Sequence, residues 1–472
     1  MHLKIVMRVC LTLLTTVTIA SCTKEETTED PPASSEKAIT AFALKKNDQS
    51  SFPAGDVTLT IGEDSVKVEL AAGADLTDLI PEITFNGISI IPASGLHQDF
   101  SKPVKYTVTA ADSSKRQYTI LVTKRKTVFV GTTKNFYALD EGNGHLIWKF
   151  SDNGSFASSD PALYNGIVYA GSISGMMYAF NANTGAVIWQ HALGNIGIGC
   201  APAVAGNTVY VGDNNDNFYA LNASTGQEKW RYTTYGNISS SPVLYKNMVI
   251  FGSDDSYLYA LDTTTGSRVW RYITQGMIVY SAPKISNGVV FIGGRAGLLH
   301  AVDANTGKMK WQYSTNGVSM EMSSPAIYNG VVYIGGWHDF NNFSIDGSLY
   351  AVNEYTGQEV WRSLDSLGID TSPCADNGKL YISAEDGYLH ALDAATGVEL
   401  WSKSILPNGS SAAVYGNTLF IGGSGSWYIY ALNKDTGAEK WKFDIRNEWG
   451  NTSTPVIGRT AKPARAYSIG GQ

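Results

Sequence analysis

Three tryptophans stand outside any regular spacing in this chain of 472 residues: Trp337, Trp427 and Trp449. The first opens the run Trp337-His338-Asp339-Phe340, which sets an indole, an imidazole, a carboxylate and a phenyl ring side by side. Flat apolar faces with polar groups at their edges suit recognition of a sugar ring or a protein surface. The competing reading is that these rings only pack their own loops. Chemistry elsewhere is sparse. Seven histidines are scattered without zinc-ligand spacing. His300 and His390 replace the tyrosine of a recurring Tyr-Ala-Leu-Asp phrase, a structural position. Asp213-Asn214-Asn215-Asp216-Asn217 and Asp254-Asp255 have the composition of a calcium loop but not its glycine and closing glutamate. Turn capping explains them. There is no phosphate loop, nucleophile elbow or helix-borne carboxylate pair, so no catalytic and no metal-binding residue is assigned.

Eight other tryptophans announce the elements that must position these groups. Trp148, Trp189, Trp230, Trp270, Trp311, Trp361, Trp401 and Trp441 recur every 40 or 41 residues, with one spacing of 50, each four residues after a glycine. A period near 40 holding four short β-branched segments is the mark of a propeller blade. Each unit opens on Ser, Thr and Pro, runs into a β-branched strand ending in glycine, then a Tyr-Leu-Tyr-Ala-Leu-Asp strand, a Thr-Gly turn and the tryptophan strand. The turn glycine supplies a positive φ, and the Asp or Asn before it caps the turn. Recurrence in every unit makes the eight indoles wedges between blades, each N–H bonded to a backbone carbonyl.

The first unit lacks an opening phrase, and one appears after the last unit as Asn451-Thr452-Ser453-Thr454-Pro455-Val456-Ile457. The C-terminus is therefore expected to complete the first blade and remove a free sheet edge. The fold class expected is all-β, with an eight-bladed propeller of four-stranded blades over 127–472. In this register Cys200 and Cys374 open the third and seventh units. They lie across the ring, too far apart for a disulfide, and two buried free thiols are expected.

With 43% hydrophobic and 16% charged residues, 48 glycines and 26 tyrosines, the composition fits a turn-rich β protein. Net charge is −7, and −9 without Lys4 and Arg8. With no basic stripe, nucleic acid is excluded as a partner. Lys4 and Arg8 precede an apolar run, residues 9–20, that is too short to span a bilayer. It ends Ile19-Ala20-Ser21-Cys22, which resembles the lipobox of bacterial lipoproteins. That resemblance implies a signal peptide over 1–21 and acylation of Cys22, with membrane contact through the N-terminal lipid alone. An ordinary secretory signal is the alternative. Thr23-Lys24-Glu25-Glu26 resembles a surface-export signal of one Gram-negative phylum, which implies an outer-membrane, surface-exposed lipoprotein. The periplasmic face is the alternative. Residues 22–36 are acidic and proline-bearing and read as a solvated tether reaching at most about 45 Å.

Residues 37–123 alternate with period 2 in DVTLTIGEDSVKVEL, KPVKYTVTA and QYTILVT, the pattern of a small β-sandwich. The stretch resembles the immunoglobulin-like modules that follow the tether in many surface lipoproteins, which implies a spacer. The link 124–126 is too short to let two domains wander apart.

The repeating phrase Ala-x-Asp-x-x-Thr-Gly-x-x-x-Trp, over roughly residues 127 to 457, resembles the tryptophan-docking repeat of the pyrroloquinoline quinone (PQQ) propeller superfamily. One branch of that family holds dehydrogenases that stack PQQ on a disulfide of adjacent cysteines beside a calcium ion. The other holds non-catalytic propellers, among them the lipoprotein subunit of the outer-membrane β-barrel assembly machinery. This chain has no adjacent cysteine pair. The resemblance thus implies a non-catalytic platform without cofactor, for an envelope protein or a glycan. A PQQ- and calcium-dependent sugar or alcohol dehydrogenase is the alternative. In such propellers the loops from strand two to three, and from strand four to the next blade, share the ligand-bearing face. Trp337, His338, Asp339, Phe340, Trp427 and Trp449 fall on those loops and form the candidate ligand rim.

Overall fold

The structure, a computed structural model, describes residues 32–458 apart from 47–49, 53–56, 71–73, 153, 195, 340–341, 366, 407–408, 424, 447 and 449–451; of 339 and 342–346 only the backbone is described. Cys22, Phe340 and Trp449 therefore lie outside the described residues, as does the apolar run that precedes Cys22. The described residues form strands, turns and loops without a helix.

From Thr127 onward the chain builds eight four-stranded antiparallel sheets. The second serves as the pattern: inner strand Ala162–Tyr164, then Ile167–Gly171, Met176–Asn181 and the outer tryptophan strand Val187–Ala192. The two middle strands of each sheet are almost wholly buried, as in Thr208–Gly212 and Asn217–Asn222, because both of their faces meet a neighbouring sheet. They accordingly read as near-continuous apolar runs. The first sheet takes its inner strand from the far end of the chain: Val456 pairs with Phe129 and Gly458 with Thr127. Ser453 reinforces this junction, exchanging two hydrogen bonds with Gly131 at 2.8 and 2.9 Å.

Each sheet is locked to the next by its tryptophan. Trp230 lies on the Thr-Gly turn of the following sheet and donates its indole N–H to the Thr263 carbonyl at 3.2 Å. Gly266 in that turn has φ +71°, and a Cβ there would stand 2.7 Å from the Trp230 ring. Glycine is thus required both for backbone conformation and for space. Asp262 caps the same turn, accepting from the N–H groups of Thr264 and Thr265 at 3.0 and 2.9 Å. The same contact repeats from Trp148 on Gly185 round to Trp441 on Gly144, the last donating to the Glu141 carbonyl at 2.8 Å. The chain of wedges returns to its first sheet.

A second clasp stands at the other end of the sheets. The hydroxyls of Ser159, Ser240, Ser323 and Ser410 accept from a glycine N–H in the last two positions of the second strand of their own sheet, at 2.9–3.2 Å. Cys200 occupies this place in the third sheet, its Sγ accepting from Gly212 at 3.3 Å. The free thiol of Cys200 is buried by its role as a serine substitute. Cys374, also free, heads the inner strand Cys374–Asp376 and is only partly buried; the expectation of a second fully buried thiol is corrected, because innermost strands border the axial space rather than another sheet.

The N-terminal residues form two sheets around one core. Five strands run in the order Val57–Ile61, Ser65–Leu70, Lys115–Lys124, Val104–Thr109, Ser89–Ile91, with a parallel pair at Ser65–Leu70 and Lys115–Lys124; Ile39–Lys46 pairs with Leu79–Phe85. Phe42, Val68, Ile83, Phe100, Tyr106 and Ile120 fill the space between them. The junction is short and occupied. Arg125 donates its backbone N–H to Leu70 at 2.8 Å, and Lys126 accepts from Glu141 at 3.0 Å. The Arg125 guanidinium lies 3.2 Å from Asp140, both side chains under 10% exposed. Lys126 Nζ sits 3.1 Å above the Tyr415 ring. The N-terminal unit thereby meets the end of the sheets that carries the Thr-Gly turns, leaving the opposite end to the interblade loops.

Candidate binding face

The loop after each second strand is held in the same way. The backbone N–H of Ile173, Asn214, Asp254, Arg295, Trp337 and Glu385 each donates to the loop arriving from the preceding sheet, at 2.8–3.0 Å. All six residues lie two positions after the last residue of their second strand, so their side chains leave equivalent backbone sites. Trp337 is one member of this series. Its carbonyl partner is Ser319 at 2.8 Å, and Ser319 in turn donates to the His338 carbonyl at 3.2 Å. The Trp337 indole donates to the Glu385 carboxylate, the next register position round the ring. The His338 ring lies 3.7 Å from the Trp337 ring, tilted by 58°. Backbone pairing places Asp339 in a small hairpin with Asn342.

Trp427 belongs to the same end of the ring but to the eighth sheet. It adopts φ +65° in a tight turn, and its carbonyl accepts from Ile445 at 2.9 Å. The structure therefore brings Trp337 and His338 together with Glu385, and sets Trp427 in a separate part of the same face. Both indoles are half-buried.

Sequence reasoning missed the charged groups beside Trp337. Arg295 Nε lies 3.8 Å from Glu321 Oε1, and the Glu321 side chain is only 5% exposed. The Glu321 carbonyl accepts from Tyr280 and Ser281 at 3.0 and 2.8 Å, which fixes the loop. Glu321 Oε2 and Asp254 Oδ1 are buried without a hydrogen-bond partner. Burial pushes the Asp254 carboxyl up to about 6, helped by Asp255 and Asp216 and opposed by Arg295. Burial raises Glu321 as well, with Arg295 opposing. In the loop that leads to the seventh sheet, Asp370 is pushed to about 6 by burial and then by the Glu385 charge. On the two interblade loops that precede the fifth sheet, apolar groups are exposed: Tyr235 at 87%, Met277 at 41% and Tyr280 at 43%. The sequence signal was positional: one register site after the second strand, reading Ile, Asn, Asp, Arg, Trp, Glu from the second sheet to the seventh.

Glu448 closes the ring on this face. Its carboxylate accepts from Asn135 Nδ2 at 2.6 Å and from the Thr132 and Tyr137 hydroxyls. It lines an open pocket of ≈450 Å³ together with Tyr137, Asp444, Ile445 and Arg446. Among the described residues no group of three His, Cys, Asp or Glu side chains converges as a metal site.

Sheets of four strands, repeated in register and locked by tryptophan, define the class as an all-β protein of the PQQ-like repeat type. The chain belongs to the family whose model is described as outer membrane protein assembly factor BamB, which matches residues 107–195, 174–338 and 345–466. A second model, described as SGBP, N-terminal, matches residues 46–122. Among solved structures, BamB from Moraxella catarrhalis is 20% identical, with 65% of this chain covering 88% of that one at a TM-score of 0.51. The computationally designed Ika8 protein is 19% identical, with 64% of this chain covering 91% of it at a TM-score of 0.50. A europium-containing methanol dehydrogenase is 14% identical, with 65% of this chain covering 80% of it at a TM-score of 0.52. At these identities the likeness is one of fold. No curated protein matches the chain.

Proposed function

We propose that this protein is an outer-membrane lipoprotein displayed at the cell surface, anchored through Cys22, whose immunoglobulin-like N-terminal spacer carries an eight-bladed propeller that binds a glycan without catalysis. The observation that carries this reading is the match of residues 46–122 to a surface-glycan-binding-protein module, joined to the turn-bearing end of the ring so that the loop face stays open. Function cannot be taken from a propeller alone, because the fold serves unrelated tasks. Its neighbours here include both an assembly factor and a methanol dehydrogenase. The non-catalytic reading is favoured over a PQQ- and calcium-dependent dehydrogenase by the missing adjacent-cysteine pair. An envelope protein is the competing partner.

The test is native affinity electrophoresis of the full chain in gels containing galactomannan, arabinoxylan or mixed-linkage β-glucan, beside dye-linked oxidation of sugars and alcohols with added PQQ and Ca²⁺. Retardation without turnover is expected. Turnover with PQQ would replace the platform with an enzyme.

A further inference from the structure

We infer that the glycan contacts lie on the arc of equivalent loop positions Asp254, Arg295, Trp337 and Glu385, with Glu321 behind Arg295, and that the arc selects neutral over anionic glycans. This inference rests on the glycan reading above and adds its site and charge preference.

Three observations carry it. First, these four residues follow one another around the ring at one register site with one backbone hydrogen bond, at 2.8–3.0 Å. A repeated backbone presenting unrepeated side chains gives neighbouring sheets one scaffold on which to offer different groups. Second, Glu321 Oε2 and Asp254 Oδ1 are shut from water with no donor, and one guanidinium, 3.8 Å from Glu321, is the nearest cation. An acceptor left in this state is destabilising, more so when charged, and such groups gather at functional sites. Third, the partners on offer match a sugar. A ring hydroxyl can donate to a carboxylate while accepting from a guanidinium, and an indole such as Trp337 suits the C–H face of the same ring. Three carboxylates against one guanidinium repel uronates and sulfates.

Full-length wild type, Glu321→Gln, Asp254→Asn and Tyr355→Ala, whose side chain is 67% exposed on the turn-bearing end, are compared by affinity electrophoresis in the three neutral polysaccharides and in polygalacturonate, with melting curves for each variant. The expected result is retardation by at least one neutral polymer and none by polygalacturonate. The two carboxamide variants, melting no lower than wild type, lose about tenfold in affinity, the effect of one charge-assisted hydrogen bond, while Tyr355→Ala retains it. Undiminished retardation of both carboxamide variants overturns this site and leaves the glycan reading standing. Equal retardation by polygalacturonate overturns the charge preference. Failure of every polysaccharide to retard wild type overturns the glycan reading, and this site with it.

Discussion

Arg125 and Gly142 are fitted to each other: a Cβ on Gly142 would stand 2.6 Å from Arg125 Cδ and 2.7 Å from its Nη1. At the same place the other seven turns carry Asn183, Ser224, Thr264, Asn305, Tyr355, Ala395 and Asp435. Only the first sheet receives an arginine from the N-terminal unit, and only there is the side chain removed. Removing one member of a buried ion pair costs about 3–5 kcal/mol, so Arg125→Ala should be strongly destabilising. Gly142→Ala should cost about 1–3 kcal/mol through overpacking. In the Arg125→Ala background the same glycine change should cost nothing. Additive losses in a double-mutant cycle by calorimetry would separate the two residues energetically.

The docking tryptophans and the loop tryptophan should part company in stability. Trp270 is 8% exposed and donates to the Ala304 carbonyl at 3.1 Å. Trp270→Ala should cost about 3–5 kcal/mol. Trp427 is half-buried in a turn, and its replacement by glycine, which accepts φ +65° readily, should leave the melting temperature within about 2 °C of wild type. Chemical denaturation of the two variants side by side checks this.

Truncation after Glu448 removes Ser453 and the strand Val456–Gly458. The first sheet then exposes the edge of Thr127–Gly131, and the contact between the first and last sheets loses its inner layer. One cooperative melt at a clearly lower temperature is expected. Unchanged melting would mean that the closing strand contributes nothing to the ring.

Asp254 gives stability a pH dependence. Its folded carboxyl is raised from 3.8 to about 6, so the folded state holds the proton more tightly than the unfolded chain. Its favourable contribution is complete below about pH 4 and is lost as pH rises through about 6. Asp254→Asn cannot lose a proton. It should match wild type at pH 4 and melt about 1–3 °C higher at pH 7.5, a modest gain because the carboxylate is half-exposed. A gap that does not change between those two pH values would assign the effect to something other than titration.

Much of this architecture was legible because the repeat writes its own mechanics. Trp230 and Gly266 recur as a spaced pair because the ring of one lies on the other, and the opening phrase missing at Thr127 was visible at Ser453. Cys200 and Cys374 open the third and seventh units, across the ring from each other, which is why their thiols could be read as unpaired. The cluster around Glu321 was not legible. Glu321, on the loop that leaves the fifth sheet, meets Arg295 after that sheet's second strand, and its loop departs from the repeat at the point where it matters. Arg125 was hidden for a related reason: its partner Asp140 looks like any other turn-capping acid, and the exception at Gly142 acquires meaning only when a side chain from outside the ring is seen filling the space.

The chain enters the ring through Thr127–Gly131, a strand hydrogen-bonded on one side to Asn135–Asp140 and on the other to the closing strand Val456–Gly458. A pull along the polypeptide from the N-terminal unit is therefore delivered as shear onto the ladder that shuts the ring, the one seam not continuous in sequence. Arg125 diverts that load sideways into the Asp140 turn, against which Trp441 of the last sheet is wedged. Mechanically the junction behaves as a strain relief, spreading tension over both sheets that flank the seam before the closing strand can peel.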